Sequence, residues 1–392
     1  MIEETLQDVD LVERVRAVLP SIAARAAETE SLRRVPVENV DELRAAGYLS
    51  ALVPAKYGGQ ELSLTEVGTA TRLLASACPS TAWAMGLLML HCHPIANFSG
   101  ELQHEIWGSG DEPLICSSVA PVGKTTRTKG GIRLSGRFSF SSGCEHASWA
   151  ILGFSLPNAN GDAEPHFAVV PRQDYSIEDV WFAMGLRGSG SQDLVVEDAF
   201  VPHHRYEKMW LLNTGQASGF ATNPAPVYRL PFAPVNSLAF PAVVLGAAEA
   251  LRDLYRDRIR TRVRSYTGAK VVESSSALMR LAESSHELDA AARILDGHWS
   301  EMDARSLSPD IAGMDQWVTW RTGQTYATRL AVRAADRLFE AAGGSAIRDD
   351  NPMQRYWRDI HTAASHAYCD YDVAAQMFGS YLAQVAPPAG VF

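Results

Sequence analysis

The chain has 392 residues, 46% of them hydrophobic and 20% charged, with 29 Gly and 20 Pro, a composition that excludes disordered, collagenous and low-complexity polymers. Its 35 basic and 45 acidic side chains leave a net charge of −10, so the protein as a whole is not drawn to nucleic acid or to an anionic membrane surface. At roughly 150 residues per domain, the length suggests two or three modules.

The first residues, MIEETLQDVDLVERV, are acidic and offer neither a basic n-region nor an apolar h-region, so no signal peptide is expected. The longest apolar stretch, around Ala82–Leu90, falls short of the roughly 20 residues that span a bilayer. Cys78, Cys92, Cys116, Cys144 and Cys369 form no CxxC pair and read as reduced core thiols, with no disulfide framework and no metal site. A soluble, cytoplasmic protein with no nucleic-acid or membrane partner is the expectation.

Residues 1–111 read as a helical domain. Val9, Leu11, Val12, Val15, Val18 and Leu19 recur at helical spacing, as do Val37, Val40 and Leu43 before the turn Tyr57-Gly58-Gly59. A third helix fits Leu64–Ala77. A fourth starts after Pro79-Ser80-Thr81, with Ser80 or Thr81 as its cap, and runs to about His91. Residues 112–215 change texture: Ile132–Phe140, Trp149–Phe154, Phe167–Val170 and Leu194–Phe200 are short β-rich runs between Gly, Asn, Asp and Pro. That is the pattern of an antiparallel sheet or small barrel. Residues 216–392 hold four periodic stretches, about 237–265, 272–305, 312–342 and 353–384, broken at Gly268, Ser306–Pro309 and Gly343-Gly344. Helices of that length predict a four-helix bundle.

Three segments of the β region combine glycine with hydroxyls: Ile115-Cys116-Ser117-Ser118, Ser135–Cys144 and Met184–Ser191. Such strand ends either admit a flat ligand close to the backbone or are plain polar turns. The third lacks GxGxxG spacing and a following helix, which excludes a Rossmann turn.

In order and spacing, Pro54-x-x-Tyr57-Gly58-Gly59, Ser80-Thr81-Ala82-Trp83, Phe140–Cys144, Gly185–Ser191, Val201-Pro202 and Gln354-Arg355-x-Trp357-Arg358-Asp359 resemble the acyl-CoA dehydrogenase fold. The likeness is closer to its flavin-dependent monooxygenase branch, the oxygenase components of two-component aromatic hydroxylases, and it covers nearly the whole chain. The resemblance implies a mainly α protein with a central β-barrel-like domain and a C-terminal four-helix bundle, assembled as a homotetramer. A dehydrogenase of this fold carries a carboxylate base soon after its last Arg-Asp. Here Arg358-Asp359 is followed by Ile360–Tyr368 with no Glu, and the alternative position falls near Asn236. Dehydrogenation is therefore the weaker reading, and a flavin-binding scaffold without chemistry weaker still.

The resemblance further implies reduced flavin, FADH2 or FMNH2, delivered by a separate NAD(P)H-dependent reductase, with O2 as co-substrate. The oxygenating species is then a flavin C4a-hydroperoxide, which needs a dry pocket and a hydroxyl partner at N5. Ser142 matches that hydroxyl, with Ser117, Ser118 and Ser141 beside the ring. Arg264 and Ser265 match a phosphate site completed across a subunit interface, and Gly343 and Gly344 are either part of that site or a plain helix cap. Arg258, Arg260, Arg262 and Arg264, alternating on a helix, divide into faces 258/262 and 260/264. The substrate is an aromatic small molecule. A phenol calls for a base, since its pKa is about 10, whereas indole, an amine or a sulfide does not. His91, on one stripe with Trp83 and Leu87, and His366 are the candidate catalytic histidines. His93 and His361 fall on other faces.

Overall fold

A computed structural model of the chain describes residues 9–386. Seven helices come first: α1 (Leu11–Ala24), α2 (Ala26–Leu32), α3 (Val37–Ala45), α4 (Leu64–Ala77), α5 (Pro79–Leu90), α6 (Cys92–Ala96) and α7 (Gly100–Trp107). The local chemistry of their starts is legible. Asp10 accepts the Glu13 amide at the head of α1, and Ser63 with Glu66 forms a capping box on α4. On α5 the expected hydroxyl cap is wrong. Pro79 occupies the first turn, where its missing N–H costs nothing, and Cys78 is the N-cap. Thr81 lies inside the helix and donates to Cys78 Sγ at 3.3 Å. Every residue of α5 is buried, so the Trp83–Leu87–His91 stripe is not the helix's one inward face.

Seven strands follow: β1 (Ile115–Thr128), β2 (Gly131–Ser141), β3 (Trp149–Pro157), β4 (Ala163–Pro171), β5 (Ser176–Glu178), β6 (Gln192–Pro202) and β7 (Tyr206–Lys208). They form one sheet in the order β5-β6-β2-β1-β3-β4-β7. The sheet is mixed, not purely antiparallel, because β3 runs parallel to β1. The segment after β2 crosses over so that Ile115–Ser118 pairs with β3, while Lys124–Thr128 pairs with β2. The start of β1 and the end of β2 thereby stand close to the N-terminal helices.

The second helical part comprises α8 (Met209–Thr214), α9 (Phe232–Asn236), α10 (Ala239–Thr261), α11 (Ser275–Ser306), α12 (Met314–Ala342), α13 (Pro352–Ala364) and α14 (Tyr371–Leu382). Two expectations fail here. α10 ends at Thr261, and Val263 bridges Lys270 in a small hairpin, so Arg260 and Arg264 share no helical face. The last expected helix breaks between Ala364 and Tyr371, where Asp370 caps α14 through the Asp372 and Val373 amides. The most apolar long stretch is Phe232–Thr261, not Ala82–Leu90. It is long and apolar enough to cross a membrane, but 89% of its most apolar window is buried inside the protein, and α10 packs on α4, α5, α12 and α13. One hydrophobic core runs through both helical parts and the sheet.

Candidate active site

α5 is the spine of the site because Trp83 lies within it and His91 is its C-cap, eight residues and hence about 12 Å apart along the axis. At the first position Trp83 donates its indole N–H to Ser142 Oγ at 3.0 Å. Ser142 Oγ lies 2.8 Å from Ser191 Oγ, which lies 2.7 Å from Ser189 Oγ. Three hydroxyls and an indole thus form one buried chain. The turn that delivers Ser142 is built by Phe140 and Gly143, at φ 65° and 69°. Ser141 is fully buried, and Ser118 Oγ donates to the Ser139 carbonyl at 2.8 Å, tying β1 to the end of β2.

At the second position His91 is buried, with Nδ1 2.6 Å from the Ile115 carbonyl and Nε2 2.9 Å from Ser117 Oγ. A carbonyl only accepts, so Nδ1 carries the proton and Nε2 accepts from Ser117. Burial pushes the His91 pKa down to about 4, against a smaller upward effect of the Ile115 bond. The imidazole is therefore neutral at neutral pH. Its partner Ser117 is set by the parallel β1–β3 pairing, in which it faces Ile151.

His366 follows α13 and caps the turn Ala367–Cys369. Its Nδ1 accepts the Tyr368 amide at 3.2 Å, which leaves the proton on Nε2. The ring stacks on Phe240 with centroids 4.1 Å apart and meets Trp83 edge-on at 5.6 Å. Burial lowers its pKa to about 4. The Tyr368 ring lies parallel to both, 5.4 Å from Phe240 and 5.9 Å from His366, with the Arg321 guanidinium 5.6 Å from it. Arg321 Nε and Asn236 Oδ1 are buried with no hydrogen-bond partner.

Ser142, His366 and His91 are thus gathered around α5, with Trp83 touching the first two. The other expected residues lie apart. Arg264 and Ser265 sit on the exposed hairpin after α10, with Arg264 donating to Ser274 Oγ at 3.2 Å and Tyr266 fully exposed at the tip. Arg258 and Arg262 both donate to the Ala342 carbonyl at the end of α12. Gly343 caps that helix at φ 79°, and a Cβ on it would stand 2.0 Å from the Arg262 guanidinium. Gly344 opens the next turn. His93 turns away to the Val227 carbonyl at 3.1 Å, and His361 bonds to Asp336 at 2.7 Å. The sequence reading missed Ser189 and Ser191 as partners of Ser142, Trp83 as a donor, and Phe240 and Tyr368 as the stack on His366. Phe140, 71% exposed beside Trp181, was also missed. The glycine- and serine-rich run 184–191 was the available signal for the first two.

Residues 7–109 match the family description "Acyl-CoA dehydrogenase, N-terminal domain", and residues 238–371 match "Acyl-CoA dehydrogenase, C-terminal domain". The chain is 40% identical over 380 residues to the p-hydroxyphenylacetate 3-hydroxylase oxygenase component of Acinetobacter baumannii, covering 97% of this chain and 90% of that one. It is 35% identical over 370 residues to the flavin-dependent monooxygenase oxygenase subunit HsaA of Rhodococcus jostii, covering 94% and 97%. The crystal structure of 3-HSA hydroxylase from Rhodococcus sp. RHA1 superposes with a TM-score of 0.93 at 34% identity, over 99% of this chain and 100% of that one.

Proposed function

The chain belongs to the flavin-dependent monooxygenases of the acyl-CoA dehydrogenase fold and is a reduced-flavin-dependent hydroxylase; on that premise we propose that it hydroxylates a phenol as the oxygenase component of a two-component system. A separate NAD(P)H-dependent reductase supplies its reduced flavin. The residues present suit that cofactor. Ser142, Ser189 and Ser191 offer buried hydroxyls to a polar ring edge, Phe140 offers an uncovered aromatic face, and Arg321 Nε and Asn236 Oδ1 are unpaired polar atoms. When bound, reduced flavin supplies the electrons with which one atom of O2 enters the substrate and the other leaves as water.

Ser142 is assigned to hold the ring edge, with its hydroxyl oriented by Trp83 and Ser191. Ser117, Ser118 and Ser141 line the same strand ends. Arg264 and Ser265, with Gly343 and Gly344, are assigned to the phosphate end from a second copy of the chain in a homotetramer, a reading supported by the exposed hairpin that carries Arg264. The substrate's proton goes to the Ser117–His91 pair. A phenolic O–H set against Ser117 donates to Oγ while the Ser117 proton moves toward His91 Nε2, which draws electron density into the ring. His366 offers the opposite service, an Nε2–H donor. The positions where a dehydrogenase would hold its carboxylate are Asn236 and the His366 segment, neither acidic.

The observation that carries the phenol reading is His91, fixed by the Ile115 carbonyl as a neutral acceptor aimed at Ser117. The test supplies reduced flavin by reductase and measures product and oxygen uptake with a panel of phenols and indoles. Coupled turnover of a phenol is expected; coupled turnover of indoles alone would overturn it.

A further inference from the structure

Asp359 is a buried carboxylate that the mechanism above leaves unused. It lies on α13, is 4% exposed, and forms no ion pair among the described residues. Its hydrogen bond comes from the Leu186 amide, at 2.6 Å. Leu186 is in the left-handed region at φ 47°, a conformation that an L side chain adopts only when its surroundings fix it. Neighbouring residues on both sides of this contact add to the attachment. Arg358 Nη1 donates to the Met184 carbonyl at 2.5 Å, and its Nη2 reaches Glu30 on α2 at 2.6 Å. A Cβ on Gly185 would stand 2.2 Å from the Arg358 carbonyl oxygen, and one on Gly188 would stand 2.6 Å from that of Thr29. Residues 184–188 are therefore pressed onto α13 and α2 with no slack.

The same segment continues into Ser189 and Ser191, the partners of Ser142. The Ser189 carbonyl also accepts the Gly143 amide at 2.9 Å. A path of hydrogen bonds and close backbone contacts leads from α13 through Leu186 to the residue that carries the Ser142 turn. Burial raises the Asp359 pKa to about 7, opposed by the Leu186 bond and Arg358. Either protonation state keeps an oxygen that accepts the amide.

We propose that Asp359 is a positioning residue: by accepting the Leu186 amide it seats residues 184–191 on α13, and through Ser189 and Ser191 it fixes the turn that holds Ser142. The catalytic consequence rests on the assignment of Ser142 made above; the positioning itself does not. The experiment compares wild type, Asp359→Leu and Asp359→Asn by amide hydrogen exchange of the flavin-free protein, followed in peptides covering residues 141–146 and 184–192. Asn keeps an acceptor of the same shape, whereas Leu removes it from a buried donor. Asp359→Leu is expected to exchange about 5- to 150-fold faster in both peptides, and Asp359→Asn to stay within about twofold of wild type. With reduced flavin, Asp359→Leu is expected to form less product per O2 consumed, and adding Ser142→Ala to it is expected to lower that ratio no further.

Faster exchange confined to residues 184–192, or an Asn variant as perturbed as the Leu variant, would overturn the proposal. If Asp359→Leu does not fold, Arg358→Met removes the neighbouring anchor on Met184 and is expected to give the same two-peptide pattern at smaller amplitude; unchanged exchange in 141–146 would again overturn it. If Ser142→Ala leaves coupling intact while Asp359→Leu still loosens 141–146, the Ser142 assignment fails and the positioning stands.

Discussion

Replacing His91 by Ala removes the acceptor for Ser117 and leaves the rest of the hydroxyl cluster in place, and the size of the effect follows from the imidazole's environment. A phenol of pKa about 10 is only about one part in a thousand phenolate at pH 7. The buried imidazole, at about 4, is roughly six pH units too weak to hold that proton outright, a gap of about 8 kcal/mol. It acts by accepting a partly transferred proton through Ser117, so the loss belongs toward the lower end of the roughly 10²–10⁴-fold range of positioned bases. About a 10²-fold fall in hydroxylation rate at pH 7 is expected, with oxygen uptake from reduced flavin changed by no more than about twofold. As pH rises toward 9, solvent supplies more phenolate and the deficit should shrink to about tenfold or less. Indole, which needs no deprotonation, should lose far less. The assay is single-turnover product formation from pH 6 to 9 on one phenol and one indole, with a melting temperature at each pH to separate unfolding from chemistry. Equal losses on both substrates with no recovery at high pH would refute the base assignment.

Ser142→Ala should keep the fold, since its hydroxyl supports no apolar packing, but should release hydrogen peroxide in place of product; unchanged product per O2 would reduce Ser142 to a turn residue. Acid should destabilise the protein through its buried histidines. Although Asp359, raised to about 7, works the other way and offsets about one of them, His91, His93 and His366 are all pushed down to about 4 by burial, so between pH 6.5 and 4 the unfolded chain binds protons at these histidines that the native one does not. Their contribution is complete above pH 6.5 and lost as pH falls toward 4, about 2 kcal/mol per residue at pH 5. A urea midpoint that does not move between pH 7 and 5 would contradict this. Arg264→Ala should weaken flavin binding without changing the mass of the assembly by light scattering; full flavin affinity in that variant would remove the arginine from the proposed phosphate site.

How far the sequence could be read depended on whether the deciding contact was local. α4 was legible because Ser63 and Glu66, three residues apart, write its start in the chain itself. β2, β3, β4 and β6 were legible because their runs are bounded by glycine, asparagine or proline, whereas β5 and β7, three residues each, were not. The parallel β1–β3 pairing was not, because residues 142–148 make the crossover without the helix that normally advertises one. The break at 365–370 was hidden for a similar reason. Helical periodicity continues on both sides of it, no Gly or Pro interrupts it, and the cap that restarts the chain is an ordinary aspartate.

The candidate site follows the same rule with a different outcome. His91 was found by its place on a stripe, yet α5 is buried on every side, so the stripe could not have told which way the ring points. Its direction comes from the Ile115 carbonyl, 24 residues away, and that carbonyl also decides the tautomer. Periodicity therefore singled out this histidine without fixing its ring, while its hydrogen bonding, Nδ1 donating to Ile115 and Nε2 accepting from Ser117, is a property of the sheet. In His366 the same nitrogen is tied to the opposite kind of partner: Nδ1 accepts the Tyr368 amide, so Nε2 carries the proton. Two neutral histidines with equally depressed pKa values thus acquire opposite roles from opposite backbone partners, a carbonyl for one and an amide for the other. Exchanging those roles would require moving the backbone, which no single side-chain substitution at either position does.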